Sequence, residues 1–290
     1  MNPVLKAAVW MLGAIASFST MAVAGRQVSF ALDTFEIMLF RSAVGVIIVA
    51  FAAIAFGTWR QINREQFSLH FFRNIMHFIG QNLWFHAVTV IPLAQVFALE
   101  FTSPIWVILL SPLILGERIT LVRAVAALMG FLGVLVVTRP DMAGVNVGVT
   151  MAASSAIFFA FTIIFTKRLT RTQSITCILF YLTVLQLGFG LVTAGYDGDI
   201  ALPNTETLPW LVLIGVAGLL AHFCITNALA IARATVVVPI DFVRLPVIAI
   251  IGMLVYGEAL DLWVLLGAGI IFAGNYLNIW SETRGPTTLK

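Results

Sequence analysis

The chain has 290 residues, of which 61% are hydrophobic and only 10% charged, with a mean hydropathy of +1.04. Soluble domains carry about 25% charged residues, so no water-soluble fold of this length can hide so much apolar surface, and lipid is the solvent for most of it. Sixteen Lys and Arg against thirteen Asp and Glu, without a basic cluster, excludes a nucleic-acid partner.

Apolar runs of about 20 residues read as spanning helices. Ten follow in order, at roughly 4–25, 34–57, 70–90, 93–115, 120–138, 148–167, 175–195, 208–231, 234–256 and 261–280. The apolar run of the first exceeds a signal-peptide core, so it is expected to stay as a span. With the amino terminus in the cytoplasm, twelve basic residues fall on the cytoplasmic side: Lys6, Arg60, Arg64, Arg73, Arg118, Arg123, Lys167, Arg168, Arg171, Arg233, Arg284 and Lys290. Arg26 and Arg139 fall opposite, and Arg41 and Arg244 lie within spans. This asymmetry predicts that both termini are cytoplasmic. Cys177 and Cys224 sit inside apolar runs and read as packing thiols.

The fourth and ninth spans are the same segment written twice. One constant offset, that from Gly116 to Gly257, lays Leu93–Glu117 over Ala234–Glu258. Glu100-Phe101 then falls on Asp241-Phe242, Gly116-Glu117 on Gly257-Glu258, and Phe131 and Gly133 on Phe272 and Gly274. Five spans per half is an odd number, so the second half enters the membrane upside down. The expected architecture is all-α and integral to the membrane: residues 1–140 and 147–283 form two inverted five-helix repeats, with a substrate site between them near the midplane.

Charges within hydrocarbon are costly and face a cavity or a partner. Glu100 and Asp241 are expected on opposite sides of the midplane, each about 6 Å from it, as substrate or proton contacts. Arg244, three residues after Asp241, can neutralise it. Arg41 needs a carboxylate, with Glu36 or Glu100 as candidates, so Glu36, Arg41 and Arg244 read as structural ion pairs. In the third span Arg73, His77, Gln81 and Trp84 form one polar stripe, and Asn82 and His86 a second. By repeat position Gln81 matches His222 and His86 matches Asn227. The candidate substrate-binding set is Glu100, His77, Gln81, Trp84, His222, Asn227 and Asp241. Trp84, Phe101, Phe158 and Phe242 beside these polar groups suit a flat aromatic solute. No metal set, cofactor motif or nucleotide-binding motif is present. Pro104, Pro112 and Pro246 interrupt the repeated spans and free backbone carbonyls. Small residues at Ala126–Gly130 and Gly269–Ala273 allow close helix packing, and leave a homodimer through the fifth and tenth spans open.

These features resemble the drug/metabolite transporter superfamily, EamA type. The resemblance rests on the two Gly-Glu helix ends, Phe35-Glu36 with Phe40-Arg41, Arg73 opening the third span, and Gly130-Phe131-Leu132-Gly133 before Arg139-Pro140. It is similar in its second span to the branch of S-adenosylmethionine and riboflavin uptake carriers. The resemblance implies a secondary transporter moving a small metabolite across a bacterial-type inner membrane by alternating access. An exporter of amino acids or amphipathic compounds, a channel and a structural membrane protein are the competing expectations. An intramembrane enzyme would need a nucleophile–base pair or carboxylate dyad at helical spacing, and none is seen.

Overall fold

The computed structural model describes residues 3–115, 120–138, 146–196, 198–232, 237, 240–259 and 261–284. They are helical, with no strand among them. The helices are α1 (Pro3–Val28), α2 (Thr34–Ala55), α3 (Phe67–Val90), α4 (Leu93–Glu100), α5 (Ser103–Leu115), α6 (Leu121–Thr138), α7 (Val147–Leu169), α8 (Ile175–Ala194), α9 (Leu208–Ile231), α10 (Arg244–Tyr256) and α11 (Leu262–Arg284). Large apolar side chains such as Phe51, Leu113, Leu128, Val192 and Leu254 stand exposed on the outside, as a lipid-facing surface requires. Among the described residues six stretches are long and apolar enough to cross a membrane, and three shorter apolar helices accompany them. The remaining span, α3, misses that standard because it carries the polar stripe.

Helix packing displays the duplication. The main contacts run α1 on α9, α6 on α11, α3 on α7 and α2 on α8. Exchanging the two halves turns the α1–α9 pair into the α7–α3 pair and leaves the others unchanged, which is the pattern of two inverted five-helix repeats. Gly133 of α6 and Gly267 and Gly274 of α11 serve the α6–α11 contact within the chain, while Gly130 packs against Ile105 of α5. A Cβ on Gly133 would stand 2.7 Å from the Gly267 carbonyl oxygen, and one on Gly267 would stand 2.6 Å from that of Gly133. Gly269 faces open space.

The fourth span is two helices rather than one. Proline has no N–H to give the carbonyl four residues back, so Pro104 leaves the Glu100 carbonyl without its helical donor. The Ser103 hydroxyl donates to that carbonyl instead, while Thr102 donates to Leu99 O at 2.8 Å. The chain turns at Phe101-Thr102 between α4 and α5. The ninth span repeats the device, with a 3₁₀ turn at Asp241–Val243 before α10 and Pro246 in the first turn of α10. Leu93, Val96, Phe97, Ala98 and Leu99 of α4 are fully buried. Apart from Gln95 and the cavity acid Glu100 this helix is apolar, and it is core.

Candidate functional site

Both helix breaks open into one central cavity of about 890 Å³, its mouth included. Six pairs of its lining residues are related by the repeat offset: Phe18 and Phe159, Met21 and Thr162, Gln81 and His222, Trp84 and Ile225, Glu100 and Asp241, Ser103 and Arg244. The middle of the cavity therefore sits on the pseudo-twofold axis between the repeats. Beyond it the lining extends in one direction, to Arg73 on α3, Thr166 on α7 and Leu229 on α9. These lie toward the end of the bundle where α1 and α3 begin and α7 and α9 finish, which we term the near end.

The far end is tied shut. Arg26, in the last turn of α1, pairs with Glu258 and donates to Val88 O (2.9 and 2.7 Å) and Ile91 O (2.7 Å) at the end of α3. Glu258 also accepts the backbone N–H of Leu93 at 3.0 Å. Gly257 explains how the carboxylate gets there. Its φ of 64° is left-handed, a conformation glycine adopts without cost, and it folds the chain so that Glu258 N–H caps Gly252 O at 3.1 Å. The Gly-Glu helix end is thus a turn plus a hook, binding the second repeat to the first. At the near end Lys167, the repeat counterpart of Arg26, donates to Leu229 O (2.7 Å) and Ala232 O (2.9 Å). Those carbonyls are in turn the counterparts of Val88 and Ile91 under the same offset. The counterpart acid, Glu117, falls outside the described residues.

At the centre one nitrogen, Arg244 Nη2, stands 2.6 Å from Glu100 Oε1 and 2.6 Å from Asp241 Oδ2. Trp84 Nε1 donates to the other oxygen of Glu100 at 2.7 Å. Phe97, Phe18 and Phe101 pack against the guanidinium with ring centroids at 4.7, 4.9 and 5.4 Å, adding cation–π attraction. Among the described residues Asp241 Oδ1 and Arg244 Nε are buried without a partner. The His77 and His222 rings meet edge to face with centroids 4.5 Å apart. Both nitrogens of His77 and Nε2 of His222 likewise have no partner among the described residues.

The model of the EamA-like transporter family matches residues 5–139 and 146–280. This chain belongs to that family. The carrier is 31% identical to a riboflavin transporter of Vibrio cholerae over 272 residues, 92% of this chain and 90% of the relative. It is 25% identical to an S-adenosylmethionine uptake transporter of Rickettsia prowazekii over 284 residues, 96% and 94% of the two chains. A crystal structure 16% identical in sequence superposes with a TM-score of 0.71, covering 96% of this chain and 98% of its own, and so shares the fold. The EamA carrier is accordingly a multi-pass membrane transporter of small metabolites.

Of the seven candidate substrate contacts, Glu100, His77, Gln81, Trp84, His222 and Asp241 line the cavity of the EamA carrier. Asn227 does not. Its amide donates to Phe223 O at 2.8 Å on its own helix. The carboxylates of the two acids meet at the helix breaks, where one guanidinium nitrogen stands 2.6 Å from each.

The expected Arg41 pair is also corrected. Glu36 completes a capping box, accepting Asp33 N–H at 2.9 Å, and its other oxygen accepts Ala201 N–H at 2.6 Å. Its capacity is used by backbone donors, and Glu100 is taken by Arg244. Among the described residues Arg41 has no carboxylate within ion-pair distance, and it lines a separate void of about 270 Å³. The Arg244–Asp241 pair is as expected. Phe159 lines the cavity in place of its neighbour Phe158, and the Phe242 side chain lies outside the described residues. Sequence reasoning missed the α1 and α7 wall (Met11, Phe18, Met21, Thr162, Thr166), although the offset linking Phe18 to Phe159 and Met21 to Thr162 was available to find it.

Proposed function

We propose that this EamA carrier takes riboflavin or a closely similar flavin into the cell by alternating access across a bacterial-type inner membrane, with both termini cytoplasmic. The observation that carries this is the charge of the cavity. Its described charged side chains are Glu100, Asp241, Arg244 and Arg73, two of each sign. A neutral aromatic solute leaves this balance unchanged, whereas a cation such as S-adenosylmethionine would bring a further positive charge into a cavity that already holds Arg244 and Arg73. Phe18, Phe159, Trp84, Phe85 and Phe101 supply flat apolar walls, and the 31% identity to a riboflavin transporter points the same way.

In this orientation the far end is the outer face, held closed by the Arg26–Glu258 hook, and the cavity extends inward. Opening outward requires Glu258 to leave Arg26 and Leu93, since these bonds join the repeats that must rock apart. Lys167 and Glu117 are the pair placed by the repeat to play the same part at the inner face.

Proteoliposomes holding the purified protein test the reading with labelled riboflavin, S-adenosylmethionine and aromatic amino acids. Saturable riboflavin uptake, accelerated by unlabelled riboflavin inside, is the expected result, because counterflow marks a carrier rather than a channel. Uptake of S-adenosylmethionine or an amino acid without riboflavin would overturn it.

A further inference from the structure

Arg73 is a buried cation whose protein partners leave it incomplete. It is 2% exposed, with Nε donating to Thr166 Oγ1 and Nη1 to Asn74 Oδ1, both at 3.1 Å. The Asn74 oxygen is shared, since Gln186 Nε2 also approaches it at 3.3 Å. Among the described residues Nη2 has no acceptor, and no carboxylate stands within ion-pair distance. A guanidinium surrounded by neutral acceptors keeps much of its desolvation cost. A solute bringing strong acceptor oxygens to this wall is therefore favoured, by the charge-assisted and bidentate geometry that arginine offers. One turn along α3 the two unsatisfied nitrogens of His77 lie beside it, with His222 Nε2 opposite.

The other end of the cavity has the reverse chemistry. Trp84 is eleven residues from Arg73 on the same stripe, about 16 Å along the helix, and it marks the carboxylate cluster. There, among the described residues, Asp241 Oδ1 is an acceptor without a donor, beside the equally unpartnered Arg244 Nε. The contrast between the ends is one of charge: Arg73 has only neutral partners, whereas two carboxylates share one guanidinium at the other end.

We infer that the transported molecule lies along α3 with its acceptor-rich end on Arg73 and its hydroxyl-bearing end toward Asp241 and Glu100. Resting on the flavin reading, this places the pyrimidine-dione edge of the isoalloxazine ring against Arg73 and His77, and the ribityl hydroxyls at the carboxylates. The opposite orientation would leave the ring edge a single imide N–H to offer Asp241 Oδ1, with its two flanking carbonyls facing the carboxylate cluster. Arg73 is thus the residue that selects for a carbonyl-bearing ring edge.

Equilibrium binding to the full-length protein in detergent, followed by flavin fluorescence, tests the orientation with two ligands. Riboflavin carries both ends; lumiflavin keeps the ring system and lacks the ribityl chain. Arg73→Gln should weaken both by the same factor, about 10- to 100-fold for a hydrogen bond to a charged group. Arg73→Lys, which keeps the charge and loses the fork, should weaken both by less. If melting shows that Arg73→Gln does not fold, equal weakening in Arg73→Lys carries the same test. Weakening of riboflavin alone, or of neither ligand, overturns the inference while leaving the flavin reading intact. A wild-type protein that binds neither flavin removes both.

Discussion

Replacing Glu258 by Gln separates the hook from the rest of the fold. The substitution keeps an amide oxygen that can still accept Leu93 N–H, and removes the charge facing Arg26. The two side chains are 11% and 16% exposed, so solvent screens the pair only in part. Hydrogen bonds to charged groups contribute about 1.5–3 kcal/mol and neutral ones about 1, so the variant should lose about 0.5–2 kcal/mol of outer-face closure. That shifts the balance between closed and open states by roughly 2- to 30-fold. A cysteine at Met21, which lines the cavity and is 5% exposed, reports opening once Cys177 and Cys224 are replaced by Ser. In right-side-out vesicles a membrane-impermeant maleimide should label Met21→Cys faster by that factor when Glu258→Gln is added. Arg26→Gln should give at least as large a change, because it also abandons the Val88 and Ile91 carbonyls. An unchanged labelling rate in protein that melts normally would show that the hook only anchors the helix end.

Four further outcomes are expected. Arg244→Met should cost about 3–5 kcal/mol, since it leaves two buried carboxylates without a counter-ion, and should appear as a large drop in melting temperature. Glu100→Gln, in which Asp241 still neutralises Arg244, should melt within a few degrees of wild type yet lose most uptake. Gly133→Leu should destabilise by at least about 1–3 kcal/mol through overpacking against α11, whereas Gly269→Ala should leave the melting temperature unchanged. Gln81→Ala should impair uptake and Asn227→Ala should not, and equal impairment would show that the cavity wall is wrongly drawn.

Spans, repeat and inversion were legible because they depend on hydropathy, basic-residue placement and a fixed offset, all local or periodic properties. Partner choice was less so. Asp241 and Arg244 are one helical turn apart and could be paired on spacing alone. Glu100 finds its cation 144 residues away, which no helical periodicity reveals. Glu36 was misread because a carboxylate near a buried arginine suggests an ion pair, while the preceding Asp33 makes it the far member of a capping box. The hook residue Arg26 looked like an exception to the charge asymmetry. Its falling in register with Lys167 under the repeat offset was the signal that it belonged to the repeat.

The two kinds of position divide the labour of the carrier. Where the halves agree at their ends, the residues suit mechanics: Arg26 and Lys167 hold the terminal carbonyls of α3 and α9. An element that must open at one face and then the other needs equivalent parts at both. Where the halves differ, the residues are free to read the solute. Arg244 corresponds to Ser103, so one guanidinium serves the acids of both repeats, and Arg73 corresponds to Ile214, which gives the cavity a donor end with no equivalent in the other half. A symmetric cavity would accept a solute in two opposed orientations. In the orientation we infer, the unmatched Arg73 permits one.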